Sequence, residues 1–178
     1  MIDLRPEGLF AAVLTPFSAQ GQLHLESVKL MVDWLIRRNV GGRFVCGTTG
    51  EGPSLTVQER MRVAEAYVKA TAKRVPVFIH VGHDCIEDSS QLARHAANIG
   101  ADAVASVAPW CFPAQDVTTL VDTMSVIASH APSLPFYYYH IPSLTGVRVR
   151  PVQFLESATD RFRIWRGSSS RHRSSTSI

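Results

Sequence analysis

A short apolar run followed by a longer amphipathic segment recurs along most of the chain, and this alternation constrains the fold more than any other feature. The apolar runs are "GLFAAVLTPF" at 8–17, "GRFVCG" at 42–47, "VPVFIHVG" at 75–82, "ADAVASVAP" at 101–109 and "PFYYYHIP" at 135–142. They start about 25 to 35 residues apart, the length of a strand–helix–strand unit. A sheet with one wet face would alternate apolar and polar residues. These runs are unbroken, so each reads as a strand covered on both faces, as in a parallel sheet flanked by helices.

The segments between them carry helical spacing. Val28, Met31, Val32 and Leu35 sit at i, i+3, i+4 and i+7 within 25–39. Thr56 and Glu59 form a capping box ahead of an apolar stripe of Val57, Met61, Ala64 and Val68. A third helix covers "EDSSQLARHAANIG" and stops at Gly100, while Val117, Leu120, Val121 and Met124 mark a fourth. Residues 150–160 begin a fifth helix, with Pro151 in its first turn. Five such units in order predict an α/β chain with a parallel sheet and crossover helices. Periodicity leaves open whether this is a doubly wound open sheet or the first part of an eight-fold barrel.

After residue 160 the pattern stops. "RFRIWRGSSSRHRSSTSI" has neither strand nor helix periodicity, and it is expected to be a disordered tail, 161–178, after a folded domain of 1–160. The net charge of +3 belongs to that tail: it holds five arginines and no acid, leaving 13 basic against 15 acidic residues in the body. An RNA-binding reading of the tail lacks any accompanying nucleic-acid module, so no nucleic-acid partner is expected. No apolar run approaches the roughly 20 residues of a membrane span, and "MIDLRPEGLF" lacks the form of a secretory signal. With three scattered cysteines (46, 85 and 111), the expected location is the cytoplasm.

Two places could carry chemistry. In "GTTGEG", 47–52, glycines let backbone N–H groups approach a ligand, Thr48 and Thr49 add hydroxyls, and a following helix N-terminus favours an anion such as a carboxylate. The alternative is a plain turn in which the two hydroxyls cap backbone groups. No Lys follows as in a phosphate loop. Tyr139 is the second place: it ends the fifth run on the same strand face as Tyr137 and opposite Phe136 and Tyr138. Its hydroxyl suits a proton relay or an orienting bond, or else a bond to a backbone carbonyl. His80, His83 and Cys85 invite a metal, but no second ligand pair lies at suitable spacing and no metal is expected. Cys46 reads as a small core residue within its strand, and His95 and His130 fall on helices.

In their order and context, "GLFAAVLTPF", "GTTGEG", "HVG", "GADAVASVAP" and "PFYYYHIPSLTGV" resemble the pyruvate-dependent class I aldolases, the family of N-acetylneuraminate lyase and dihydrodipicolinate synthase, over residues 8 to about 160. The resemblance implies a (β/α)8 TIM barrel, here about its first five βα units. It implies that Thr48 and Thr49 hold the carboxylate of a pyruvoyl group and that Tyr139 is the proton-relay phenol. It implies small-molecule substrates, a homo-oligomer and no cofactor. Leu144 stands where dihydrodipicolinate synthases carry an Arg, so the sialic acid lyase branch is preferred, with cleavage to N-acetylmannosamine and pyruvate through a Schiff base. At 109–113 the chain reads "PWCFP" where the family has paired aromatics near a subunit interface.

The Schiff base requires an amine. The lysines are Lys29, Lys69 and Lys73, all on expected helices, and the family's G-[IL]-K-[FY] stretch is absent from the region beyond Tyr139. The expectation is that the chain leaves the family register near Arg161, through a frameshift, an alternative exon or an error in the assignment of the gene's extent, and is inactive alone. A non-catalytic variant that modulates full-length subunits is the alternative.

Overall fold

The computed structural model describes residues 7–159 and 161–162. Every apolar run contributes one strand: β1 Phe10–Ala12, β2 Gly42–Val45, β3 Val77–His80, β4 Ala103–Ser106 and β5 Phe136–Tyr138. They form one parallel sheet in the order of the chain, with Phe44 opposite Phe78 and Ala105 opposite Tyr137. Helices α1 Ser27–Arg37, α2 Val57–Thr71, α3 Ile86–Asn98 and α4 Val117–Ser129 are the crossovers. A single-turn helix α5, Pro142–Thr145, precedes α6, Pro151–Ala158. The expected fifth helix is therefore the sixth, because "PSLT" closes its own turn with Gly146 N–H on Pro142 O.

Side-chain alternation along the strands divides the sheet into two chemically different faces. Outward residues Val45, Val77, Ile79, Val104 and Phe136 join Val28, Val32, Leu92, Leu120, Met124 and Phe154 in one apolar core beneath the helices. Inward residues are larger and more aromatic. Phe10 packs on Phe78 at 4.9 Å, and Phe78 on Tyr137 at 4.6 Å. The tyrosine run obeys the same division: Tyr138 packs outward on Phe154 at 4.4 Å, while Tyr137 and Tyr139 face in.

The capping box of α2 forms as expected, with Glu59 N–H donating to Thr56 Oγ1 at 3.2 Å and Thr56 N–H to Glu59 Oε2 at 2.9 Å. The buried face of that helix is another matter. It comprises Arg60, Val63, Ala64, Tyr67 and Thr71, with Val57, Met61 and Val68 only partly covered. Tyr67 anchors that face by donating to Leu14 O at 2.7 Å. Gly100, at φ +79°, ends α3 in the left-handed conformation that a side chain disfavours.

Arg161 and Phe162, the first residues of the expected tail, are described: Arg161 pairs with Asp122 at 2.6 Å and Phe162 packs edge-on to Phe136 at 5.3 Å. The rest of the tail, from residue 163, lies outside the described residues. Among the described residues no helix is long and apolar enough to cross a membrane.

Candidate active site

The two sequence features meet at the C-terminal ends of the strands. At the end of β2, Cys46 takes φ +58° and turns the chain out of the sheet, so it follows the strand rather than lying within it. It remains buried, and burial pushes its thiol up to about 11. The loop then folds tightly on itself. Gly52 N–H donates to Gly47 O at 3.1 Å and Glu51 N–H to Thr48 O at 3.0 Å. A Cβ on Gly52 would stand 1.9 Å from Cys46 O, so only glycine fits there. The buried hydroxyl that holds the loop is Thr15's, donating to Gly50 O at 2.6 Å. Thr48 and Thr49 are exposed at the rim.

One expectation about this loop needs correction. The N-terminus of α2 does not follow it directly, because a 3-10 turn at Gly52–Ser54 intervenes, and the capping box takes up the N–H groups of Thr56 and Glu59. What the loop itself offers an anion is its own N–H groups and the Thr48 and Thr49 hydroxyls.

Tyr139 follows β5, held in register by its N–H on Ser106 O at 2.9 Å. Its half-buried ring stands edge-on to Phe44 at 5.2 Å and to His80 at 6.0 Å. Phe44 is also the floor of the loop, since a Cβ on Gly47 would meet its ring at 2.5 Å. The Thr48–Thr49 loop and Tyr139 thus share one aromatic support.

Beneath them lie two residues whose role the motif reading missed. Arg60 is 1% exposed and donates to His80 O at 2.6 Å and Gly82 O at 2.9 Å. Burial pulls its guanidinium below its usual range. His80 takes a defined tautomer. Val107 N–H points at its Nε2 from 3.3 Å, so Nε2 accepts and Nδ1 carries the proton toward Cys46 O at 3.2 Å. Burial, then the neighbouring Arg60 charge, lowers its pKa to about 3, against a smaller opposing pull from the Cys46 carbonyl. Neutral His80 thereby ties the ends of β2, β3 and β4 together. The "HVG" run contains this residue, but Arg60 looks like a solvated helix position and gives no comparable signal.

His80 is buried among the strand ends, while His83 Nδ1 accepts the Cys85 N–H at 2.9 Å. Among the described residues no group of three His, Cys, Asp or Glu side chains could hold a metal. Asp84 Oδ1 accepts the N–H groups of Trp110 and Cys111 at 2.7 and 2.9 Å, fastening the "PWCFP" loop to the end of β3.

The lysines lie elsewhere. Lys73 donates to Gly100 O and Asp102 Oδ1 at 2.7 and 2.8 Å, just before β4 and so at the opposite end of the sheet from Tyr139. Lys29 pairs with Asp33 on α1, and Lys69 is in the last turn of α2.

The model of the dihydrodipicolinate synthetase family matches residues 5–161. The chain belongs to that family. It is 42% identical to the N-acetylneuraminate lyase of Rattus norvegicus over 163 residues, 90% of this chain and 51% of that protein. It is 45% identical to the N-acetylneuraminate lyase of Xenopus tropicalis over 165 residues, 92% of this chain and 54% of that protein. The solved structure of Proteus mirabilis N-acetylneuraminate lyase superposes with a TM-score of 0.85 at 35% identity, covering 92% of this chain and 56% of that one. The chain therefore spans about half the length of the curated relatives it matches, and its sheet corresponds to part of a family TIM barrel.

Proposed function

We propose that this family member carries the pyruvate-binding half of a sialic acid lyase site and lacks its covalent nucleophile. The observation that carries the reading is the shared support of the exposed Thr48–Thr49 pair and Tyr139 on Phe44, at the strand ends where barrel enzymes do their chemistry. In this reading the loop N–H groups and the two hydroxyls bind the carboxylate of the pyruvoyl group. Tyr139 takes the proton from the substrate hydroxyl as the C–C bond breaks and the aldehyde half departs, and returns it to the enamine carbon left on the pyruvoyl half. A lysine amine outside this sequence condenses with the keto carbon, and the resulting iminium accepts the electron pair of the breaking C–C bond. N-acetylneuraminate is the favoured substrate because the relatives bear that activity in their names and Leu144 offers no second carboxylate site. The location proposed for it is the cytoplasm.

Saturation-transfer NMR on the pyruvate methyl group tests the binding half, and borohydride trapping tests the missing amine. Wild-type chain should saturate pyruvate, and a Thr48→Val/Thr49→Val double variant should lose most of that signal. Trapping should leave the intact mass unchanged. Equal saturation in the double variant, or a reduced pyruvate adduct on Lys29, Lys69 or Lys73, would overturn the reading. The alternative, a non-catalytic chain that modulates full-length subunits, is favoured by the placement of all three lysines away from the strand ends.

A further inference from the structure

Arg60 carries a charge that its hydrogen bonds do not require. It is buried, and its guanidinium donates to two backbone carbonyls, from Nη1 to Gly82 O at 2.9 Å and from Nη2 to His80 O at 2.6 Å. Two carbonyls ask for two N–H donors, which a neutral side chain also offers. Asp88, whose carboxylate charge acts on Arg60, lies instead 3.7 Å from His83 Nδ1. Burying a cation without a bonded anion is costly, and the start of a helix, where Arg60 sits, disfavours positive charge further. A guanidinium nevertheless keeps its proton inside a protein, so the charge stays in place.

That charge lies against the base of the Thr48–Thr49 loop. Nη2 stands 3.4 Å from His80 Nδ1, which is 3.2 Å from Cys46 O, and Cys46 O is the atom that a Cβ on Gly52 would strike. The guanidinium is therefore two contacts from the start of "GTTGEG". Two neighbours register its field at that point. It opposes protonation of His80, and it draws the Cys46 thiol downward against the larger upward push of burial. His80 is neutral and does not cancel the charge. Glu51, the acid within the loop, is exposed and screened by water, whereas Arg60 acts through the protein interior. A unit charge about 10 Å from a carboxylate, at an effective dielectric of about 20, is worth about tenfold in binding.

We propose that Arg60 is the specificity-determining charge of the pyruvate site: from beneath the Thr48–Thr49 loop it favours an ionised carboxylate over a neutral group of the same shape, without touching the ligand. The loop's N–H groups and hydroxyls supply the bonds, and Arg60 supplies the sign of the potential in which they act. The proposal rests on the lyase reading, because it assumes that a pyruvoyl carboxylate occupies the loop.

Saturation-transfer titrations of the full chain with pyruvate and with pyruvamide, its neutral amide, test it. Wild type should prefer pyruvate. Arg60→Gln keeps two N–H donors without the charge, and Arg60→Met keeps neither. Both should lower the preference by about tenfold, through weaker binding of pyruvate with pyruvamide little changed. Because the readout is a ratio of two ligands on one protein, either variant decides the matter if the other fails to fold. Equal weakening of both ligands would make Arg60 a structural tie and overturn the proposal. So would an unchanged preference in a neutral variant, or a preference kept by Arg60→Gln and lost by Arg60→Met, which would assign the effect to the hydrogen bonds. A wild type that binds neither ligand removes the lyase reading and this proposal with it, whereas a wild type and a neutral variant that prefer pyruvate equally overturn the proposal alone.

Discussion

Acidification should destabilise this chain through His80 in particular. In the folded state the ring is 2% exposed and lies beside the Arg60 guanidinium, and burial and then that charge lower its pKa to about 3 against the smaller opposing pull of its Nδ1–H on Cys46 O, while Nε2 accepts from Val107 N–H. In the unfolded chain it returns to the ordinary value of about 6.5. The folded value is the lower one, so the unfolded state binds the extra proton. The stabilisation is whole above pH about 6.5 and is lost as the pH falls from there toward 3, at up to about 1.4 kcal/mol per pH unit. Between about pH 7.5 and pH 5 this single group should cost about 2 kcal/mol. Urea unfolding of wild type and His80→Asn at the two pH values isolates it. Asn keeps a donor near the Nδ1 position but does not titrate, so the acid-induced loss should be smaller in the variant by about that amount. Equal losses, or an NMR titration that puts His80 near about 6.5, would refute the assigned tautomer and the network built on it.

Gly52→Ala should destabilise the loop by about 1–3 kcal/mol, because its Cβ would stand 1.9 Å from Cys46 O; urea midpoints measure the loss and pyruvate saturation transfer should fall with it. Arg60→Ala should cost about 3–5 kcal/mol, since the carbonyls of His80 and Gly82 lose their donors and a cavity opens. Arg60→Met should cost less than Arg60→Ala, because a buried cation with no carboxylate bonded to it is replaced by an apolar stem of similar reach; the order of the two thermal midpoints checks this.

What the sequence determined was largely local. Unbroken apolar runs at βαβ spacing required parallel strands covered on both sides, and Thr56 with Glu59 marked the start of α2 through hydrogen bonds spanning three residues. The period of two in Phe136–Tyr139 assigned each ring to a face before any packing was known, and the motif resemblance singled out Thr48, Thr49 and Tyr139. Tertiary structure decided what depends on contacts remote in sequence. It rotated the buried face of α2 to include Arg60, whose acceptors lie 20 and 22 residues away, and a polar side chain satisfied at such a distance leaves no apolar period behind. It inserted the 3-10 turn that separates the Thr loop from α2, moved Cys46 out of its strand, and placed Phe44 under both the loop and Tyr139. The residues of the candidate site were legible because each belongs to a short motif, whereas the support that joins them exists only once three strand ends come together.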